Sequence, residues 1–424
     1  MLDQLFVSLY KGALDIAGRF LPAWAVPWLS IAIGIGVIAA VAPAIMMYLT
    51  WFERKVIARM QNRFGPNRVG IYGLAQPLAD GLKMLIKEDI VPEGADRLLH
   101  TLAPVISVVP AILLFAVLPF GRNMIAADLN VGLLYFLAVS SVSSYAIFMG
   151  GWASRNKFSM LGAMRSVAQI ISYEVPGVLS VVVVIMATGT MSMAAIVQQQ
   201  AEQGWFVFTP WGLVGAIILF LSGIAEVNRT PFDMPEAESE LVAGFHTEYS
   251  GMKFALWYMA EFLEAFAISA FTVTLFLGGW SGPPVPAWIM FFVLALIGAS
   301  AGSLPLFLRI VALLACVGAG VKFYAEPIPS WAWFLTKTYL LIFVLVWLRG
   351  TFPRLRVDQL MGLAWKFLLP MALVNILAAG IAAARPGLSG MLLSAAILAV
   401  SAALLVRANS SQASLPRRTY LFAE

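Results

Sequence analysis

The chain has 424 residues, 61% of them hydrophobic and only 12% charged, with a formal net charge of +5. That composition excludes an ordinary soluble domain, and several uncharged runs exceed the roughly 18 residues that mark a spanning helix. A single cysteine, Cys316, excludes both a disulfide framework and a thiolate set for an iron–sulfur centre. The expected fold class is all-α and polytopic. His100 and His246 stand at the ends of apolar runs rather than as a facing pair, so no metal or haem site is expected. The positive balance needs no nucleic-acid partner, because membrane topology accounts for it.

Residues Leu5, Phe6, Leu9, Ala13, Ile16, Ala17 and Phe20 recur at helical spacing opposite Ser8, Lys11, Asp15 and Arg19. This predicts an amphipathic surface helix within 1–26. Spans are then expected at 27–52, 101–120, 131–152, 166–190, 210–225 and 254–277. A short pair follows at 287–303 and 304–321, then 333–348, 367–384 and 388–406, eleven in all. The membrane domain covers 27–384 with the hairpin 287–321 inserted, and 385–424 adds a last span and a tail. Within the long connection after the first span, 65–70 reads as a Gly-Pro-Asn turn. After it, Leu78, Leu82, Leu85 and Ile86 share one face and Asp80, Lys83 and Lys87 another, as in a helix lying in the interface. Pattern alone leaves open whether that helix only anchors.

Charge sets the orientation. Arg54, Lys55, Arg59, Arg63, Arg68, Lys83, Lys87 and Arg97 follow the first span, and further basic residues fall on the same side. The opposite side receives only Lys11, Arg19, Arg122 and Arg385. The rich side is expected in the cytoplasm and the N-terminus outside.

The connection 226–249 concentrates six of the 22 acidic residues: Glu226, Asp233, Glu236, Glu238, Glu240 and Glu248. Crowded carboxylates beside lipid hold protons more firmly, which suits proton transfer; a plainly wetted acidic loop is the other reading. Thr230-Pro231-Phe232-Asp233 predicts a helix start, and Pro235 a second short helix on which Glu236 and Glu240 share a face and which Gly244 ends. Carboxylates also interrupt the spans themselves, at Glu174, Glu261 and Glu264. A charge near the bilayer centre costs at least about 2.5–3.5 kcal/mol, so each asks for a role or for a partner base such as Lys337. Glu264 lies deeper, without a neighbouring cue.

Three blocks carry a family resemblance: 53–83, with Glu53-Arg54-Lys55, Arg63-Phe64-Gly65-Pro66-Asn67-Arg68 and Gln76-Pro77-Leu78-Ala79-Asp80-Gly81; 163–174 with 225–261; and 352–361, Phe352-Pro353-Arg354-Leu355-Arg356-Val357-Asp358-Gln359-Leu360-Met361. The chain resembles the H-subunit family of proton-pumping NADH:quinone oxidoreductases, respiratory complex I. The resemblance implies a quinone-tunnel subunit with eight core spans, which performs no redox chemistry itself. It implies that Glu53, Arg54, Arg63, Asp80, Arg229, Asp233 and Phe254 line or shape the tunnel. Glu174, Glu226, Glu236, Glu238, Glu240 and Glu261 would form a proton path, and Arg354, Arg356 and Asp358 would dock soluble partners. Quinone is then the substrate, and FMN and iron–sulfur clusters belong to partner subunits of the complex. The surface helix, the hairpin and the last span stand outside the resemblance, and Glu264 outside its widest pattern. Two other readings remain: the homologous subunit of a hydrogenase-type complex, and a stand-alone ion-coupled transporter.

Overall fold

The computed structural model describes residues 5–20, 22, 24–234, 243–282, 328–385 and 387–412. The expected hairpin 287–321, Glu236, Glu238, Glu240 and the tail arginines Arg417 and Arg418 lie outside the described residues. Fourteen α-helices occur among those described. In chain order they are α1 Leu5–Phe20, α2 Ala25–Met60, α3 Gln76–Ile86, α4 Arg97–Leu113, α5 Gly132–Ser140, α6 Val142–Ala153 and α7 Lys157–Thr188. Then come α8 Met193–Gln203, α9 Pro210–Glu226, α10 Gly251–Phe276, α11 Ser330–Thr351, α12 Val357–Leu363, α13 Leu369–Ala384 and α14 Leu388–Gln412.

Eight helices, counting α5–α6 and α12–α13 each as one, are long and apolar enough to cross a membrane, and α9 is a shorter apolar ninth. Every span expected on described residues is therefore helical, one of them in two pieces. Their ends differ. Helix α2 runs to Met60 rather than stopping at Phe52, because nothing breaks it before the Gly65-Pro66 turn. Its 36 residues make a rod of about 54 Å at ~1.5 Å per residue. That exceeds the ~30 Å hydrocarbon layer, so part of the rod extends past it. Helix α7 likewise begins at Lys157, capped by the Asn156 side chain on Phe158 N, ahead of the expected 166.

One expected span is broken. At 131–152 the chain forms α5 and α6 with Ser141 between them. The Oγ atoms of Ser140, Ser141, Ser143 and Ser144 each donate to the carbonyl three residues back, at 2.8–3.1 Å. Such back-bonding competes with the helical ladder and bends it. The chain between α7 and α9 also holds a helix not expected, α8, capped by Ser192. Its buried Gln200 donates to Thr274 O (2.9 Å) and accepts from Gly278 N (3.0 Å), closing the end of α10.

Helix α10 is the hub. Of its most apolar stretch, 89% is buried, against α4, α9 and α11. In lipid the helices gain little from hiding apolar surface, so close packing at small residues holds them together. Gly223 on α9 shows this: a Cβ there would stand 2.1 Å from Ile268 Cγ2 on α10. Gly223→Ala is expected to push the two helices apart at a cost of about 1–3 kcal/mol. Thermal unfolding in detergent measures it, and an unchanged midpoint would refute the tight contact.

The two amphipathic segments form helices that leave apolar side chains exposed. On α1, Phe6, Leu9 and Ile16 are exposed, and Phe6 meets Trp331 edge-to-face at 5.9 Å. On α3, Leu78, Leu82, Leu85 and Ile86 all remain uncovered by this chain.

The turn at Thr230-Pro231 does not begin a helix. Thr230–Pro231 is a cis peptide, and Phe232 N donates to Arg229 O at 2.8 Å, closing a turn. The Phe232 ring then packs edge-on against Tyr173. Gly244 has φ +56 and opens a short 3₁₀ turn, while the helix it was expected to end lies outside the described residues.

Candidate functional site

The site forms where the extended end of α2, the turn after α9, the first half of α10 and the last turn of α11 converge. Arg229 is 3% exposed. Its Nη1 donates to Glu53 Oε2 at 2.9 Å and Oε1 at 3.1 Å, and its Nε reaches Glu261 Oε1 at 2.7 Å. Arg349 contributes a second cation to Glu53 Oε1. The Arg229 guanidinium also lies over the Phe262 ring, 4.2 Å from its centre. A planar, permanently charged fork is the one side chain able to hold two carboxylates in fixed directions at such depth. Glu53 and Arg229 were expected at a tunnel and Glu261 on a proton path; one arginine joins all three.

Arg229 owes its position to α7. Gln169, fully buried, donates from Nε2 to Ala225 O (2.7 Å) and Phe232 O (2.6 Å), fixing both sides of the turn. Ser166 donates to Asn228, which adopts φ +56 to leave the helix end. From the other side, Leu355 N bonds Pro231 O at 3.2 Å and Arg354 reaches Met234 O at 3.5 Å. Sequence reasoning passed over Gln169, Asn228 and Arg349. The available signal was a buried-type amide five residues ahead of Glu174, and an arginine closing an apolar span.

Two small cavities follow the arginine into the helices. The first, about 30 Å³, is lined by Glu261, Glu264, Asn228, Trp257, Ser107 and Ser143 among others. The second, about 20 Å³, is lined by Glu174, Glu226, Ser140, Ser222 and Tyr173 among others. About 10–15 Å³ of such space holds a water, so each has room for one or two. Glu174 and Glu226 thus share one chamber, and Glu261 opens on the next. The expected alternative base, Lys337, is elsewhere: it donates to Leu277 O (2.7 Å) and Ser281 O (2.8 Å) and sits over Trp205, capping the end of α10. The bases that meet carboxylates here are Arg229, in the turn after α9, and Arg349, in the last turn of α11.

The remaining expected residues spread along the same face. Arg54 pairs with Asp80 at 2.5 Å, and Gln76 Nε2 donates to Asp80 at 3.0 Å, holding α3 against α2. Burial raises the Asp80 pKa, but the hydrogen bonds from Arg54 and Gln76 and the charges of Arg54 and Lys83 outweigh it, leaving the group below its ordinary value. A depressed folded pKa stabilises the pair above the unfolded value and loses that contribution as pH falls through the folded one. Hydrogen-exchange protection of α3 is therefore expected to fall below about pH 4. D80N should lack that acid step, and an unchanged profile in the variant would refute the linkage.

Phe254 is half-buried on α10, stacked on Tyr258 at 6.0 Å and edge-on to His246. Asp233 is partly buried in the turn. Arg63 is exposed and donates to Gln61 Oε1 at 2.7 Å, and it is not drawn into the ion-pair network. Arg356 and Asp358 are exposed at the start of α12, with Arg356 N donating to Gln359 Oε1. Glu248 is used in packing, accepting from Asn156 Nδ2 at 2.7 Å. Among the described residues no group of three or more His, Cys, Asp or Glu is arranged to hold a metal ion.

Fold and site together define a multi-spanning helical membrane protein whose interior carries an arginine-bridged row of carboxylates. Residues 33–380 match the family described as NADH dehydrogenase, and the chain belongs to that family. It is 45% identical over 331 residues to the NADH-quinone oxidoreductase H subunit of Dehalococcoides mccartyi, covering 78% of this chain and 80% of that one. An H subunit of the same oxidoreductase from Geobacter sulfurreducens is 42% identical over 354 residues, covering 79% and 89%. A third, from Anaeromyxobacter dehalogenans, is 40% identical over 412 residues and covers 93% of this chain and 94% of its own, so that likeness reaches beyond 33–380.

Proposed function

We propose that this chain is the membrane subunit of a proton-translocating NADH-quinone oxidoreductase that receives the quinone and couples its reduction to proton movement. The observation that carries the reading is Arg229, bound at once to Glu53 and to Glu261. Glu53 stands near the C-terminal end of α2, next to Arg54, which holds α3 and its exposed apolar face against that end. A long-tailed quinone entering over that face would bring its head towards Glu53, Arg54, Arg229 and Phe254, with Asp80, Arg63 and Asp233 shaping the approach. Electrons come from partner subunits that hold FMN and iron–sulfur clusters.

Adding electrons to a quinone near Glu53 draws Arg229 towards the new negative charge. Glu261 then loses its cation at a depth where a bare carboxylate is costly, and takes up a proton. Relaxation of Arg229 returns that proton to the interior row, past Glu226 and Glu174. Glu236, Glu238 and Glu240 of the acidic connection feed or drain the same row. The arginine-rich face lies in the cytoplasm, where Arg354, Arg356 and Asp358 meet the soluble subunits. Residues 27–384 form the membrane domain, and 385–424 add a further span and tail.

Purification of the tagged protein in mild detergent tests this. Co-purifying flavin and iron–sulfur chains with inhibitor-sensitive NADH:quinone turnover are expected. Hydrogenase chains instead, or a solitary chain, would overturn the assignment.

A further inference from the structure

Resting on that reading, we propose that Glu264 is a proton relay, the carboxyl that joins the cavity at Glu261 to the cavity at Glu226 and Glu174.

Position comes first. Glu264 follows Glu261 by three residues on α10, so it lies close to the same face and about 4.5 Å further along the helix. It is 9% exposed and lines the first cavity together with Glu261. Four residues further along α10, Ile268 lines the second cavity, so Glu264 stands one helical turn from it on the same face. Among the described residues it makes no ion pair, in contrast to Glu53 and Glu261. A carboxyl at this depth without a cation is placed to exchange a proton with groups on either side.

Features independent of Glu264 show that the same place is built for water. The break between α5 and α6 puts Ser140 on the second cavity and Ser143 on the first, so one bend offers hydroxyls to both. Trp257 is 3% exposed and lines the first cavity, yet its Nε1 has no hydrogen-bond partner. Ser222 is 4% exposed and lines the second, and its Oγ is equally unsatisfied. Buried polar groups without partners, in polar chambers large enough for a molecule of water, are satisfied by water. Water in the two chambers leaves Glu264 as the titratable group between them. Glu264 passes its proton towards Glu226 and is reprotonated from Glu261 through water in the first cavity. One proton moves in each step, and Glu264 ends as it began.

The intact complex carrying Glu264→Gln, Glu264→Asp or Glu261→Gln decides the matter. Subunit content, proton pumping driven by quinone reduction, and the infrared difference spectrum between oxidised and reduced enzyme are measured on each. Glu264→Gln is expected to keep the subunits, lower pumping at least tenfold and remove a carboxylic-acid carbonyl band. Glu264→Asp should restore much of the rate and shift that band. Full pumping and an unchanged spectrum in Glu264→Gln, with Glu261→Gln crippled, would overturn the relay and leave the proposed function standing. Unimpaired pumping in both Gln variants would overturn the proposed function as well. Should Glu264→Gln fail to assemble, the Glu264→Asp spectrum decides alone, and an unshifted band sinks the proposal.

Discussion

Arg229→Gln is expected to lower NADH:quinone turnover of the assembled complex at least about 100-fold. Breaking a buried ion pair by removing one partner costs about 3–5 kcal/mol, which corresponds to two or more decades. Glu53 keeps Arg349 in the variant, whereas the ion pair that Glu261 makes with Arg229 through Nε is lost. Arg229→Lys should be intermediate, because a point ammonium replaces one carboxylate contact but not the fork that spans two. The Phe262 ring would lose the guanidinium above it in either case. Turnover with purified complex is the measurement, with subunit content as the control for assembly. A variant that assembles and turns over normally would mean that the Arg229 bridge is architectural.

Glu226→Gln is expected to abolish coupled pumping with little change in assembly. Gln matches Glu in volume, so the second cavity keeps its shape while losing a proton carrier. A positioned proton-transfer group contributes roughly 100-fold or more. Glu174, across the same chamber, should behave alike when replaced by Gln. Ser222→Ala removes one hydroxyl from the lining and should cost less, since the chamber keeps both carboxylates. Proton uptake by reconstituted vesicles during quinone reduction reads all three. Normal pumping in both Gln variants would remove this chamber from the proton path.

Much of the fold was legible in the sequence, for a reason peculiar to lipid. Backbone groups without water must satisfy each other within one helix, so an uncharged run of sufficient length has one available structure. That rule placed α9, α10, α11 and α13 within a few residues at both ends. It misplaced the ends of α2 and α7, because a helix does not stop where hydrophobicity stops. It stops at a breaker such as Gly65-Pro66 or at a cap such as Asn156. The Ser140–Ser144 break escaped notice because serines are tolerated in a span, and bend it only through local hydrogen bonds.

Composition and charge placement were enough to set the class, the amphipathic α1 and α3, and the short roll of acids and bases worth watching. Those are one-dimensional properties, and the cost of a charge in lipid depends first on depth along a span. Which acid meets which base followed only from the packing of the helices. Glu53, Arg229, Glu261 and Arg349 come from four separate parts of the chain, and ion pairs act over a few ångströms. Lys337 looked like an equal candidate base in the sequence, and the fold spent it on the carbonyls ending α10. Glu264 looked the least promising of the carboxylates, and packing set it in the first chamber, one turn from Ile268, which lines the second. Cavities, like ion pairs, exist only once helices are side by side.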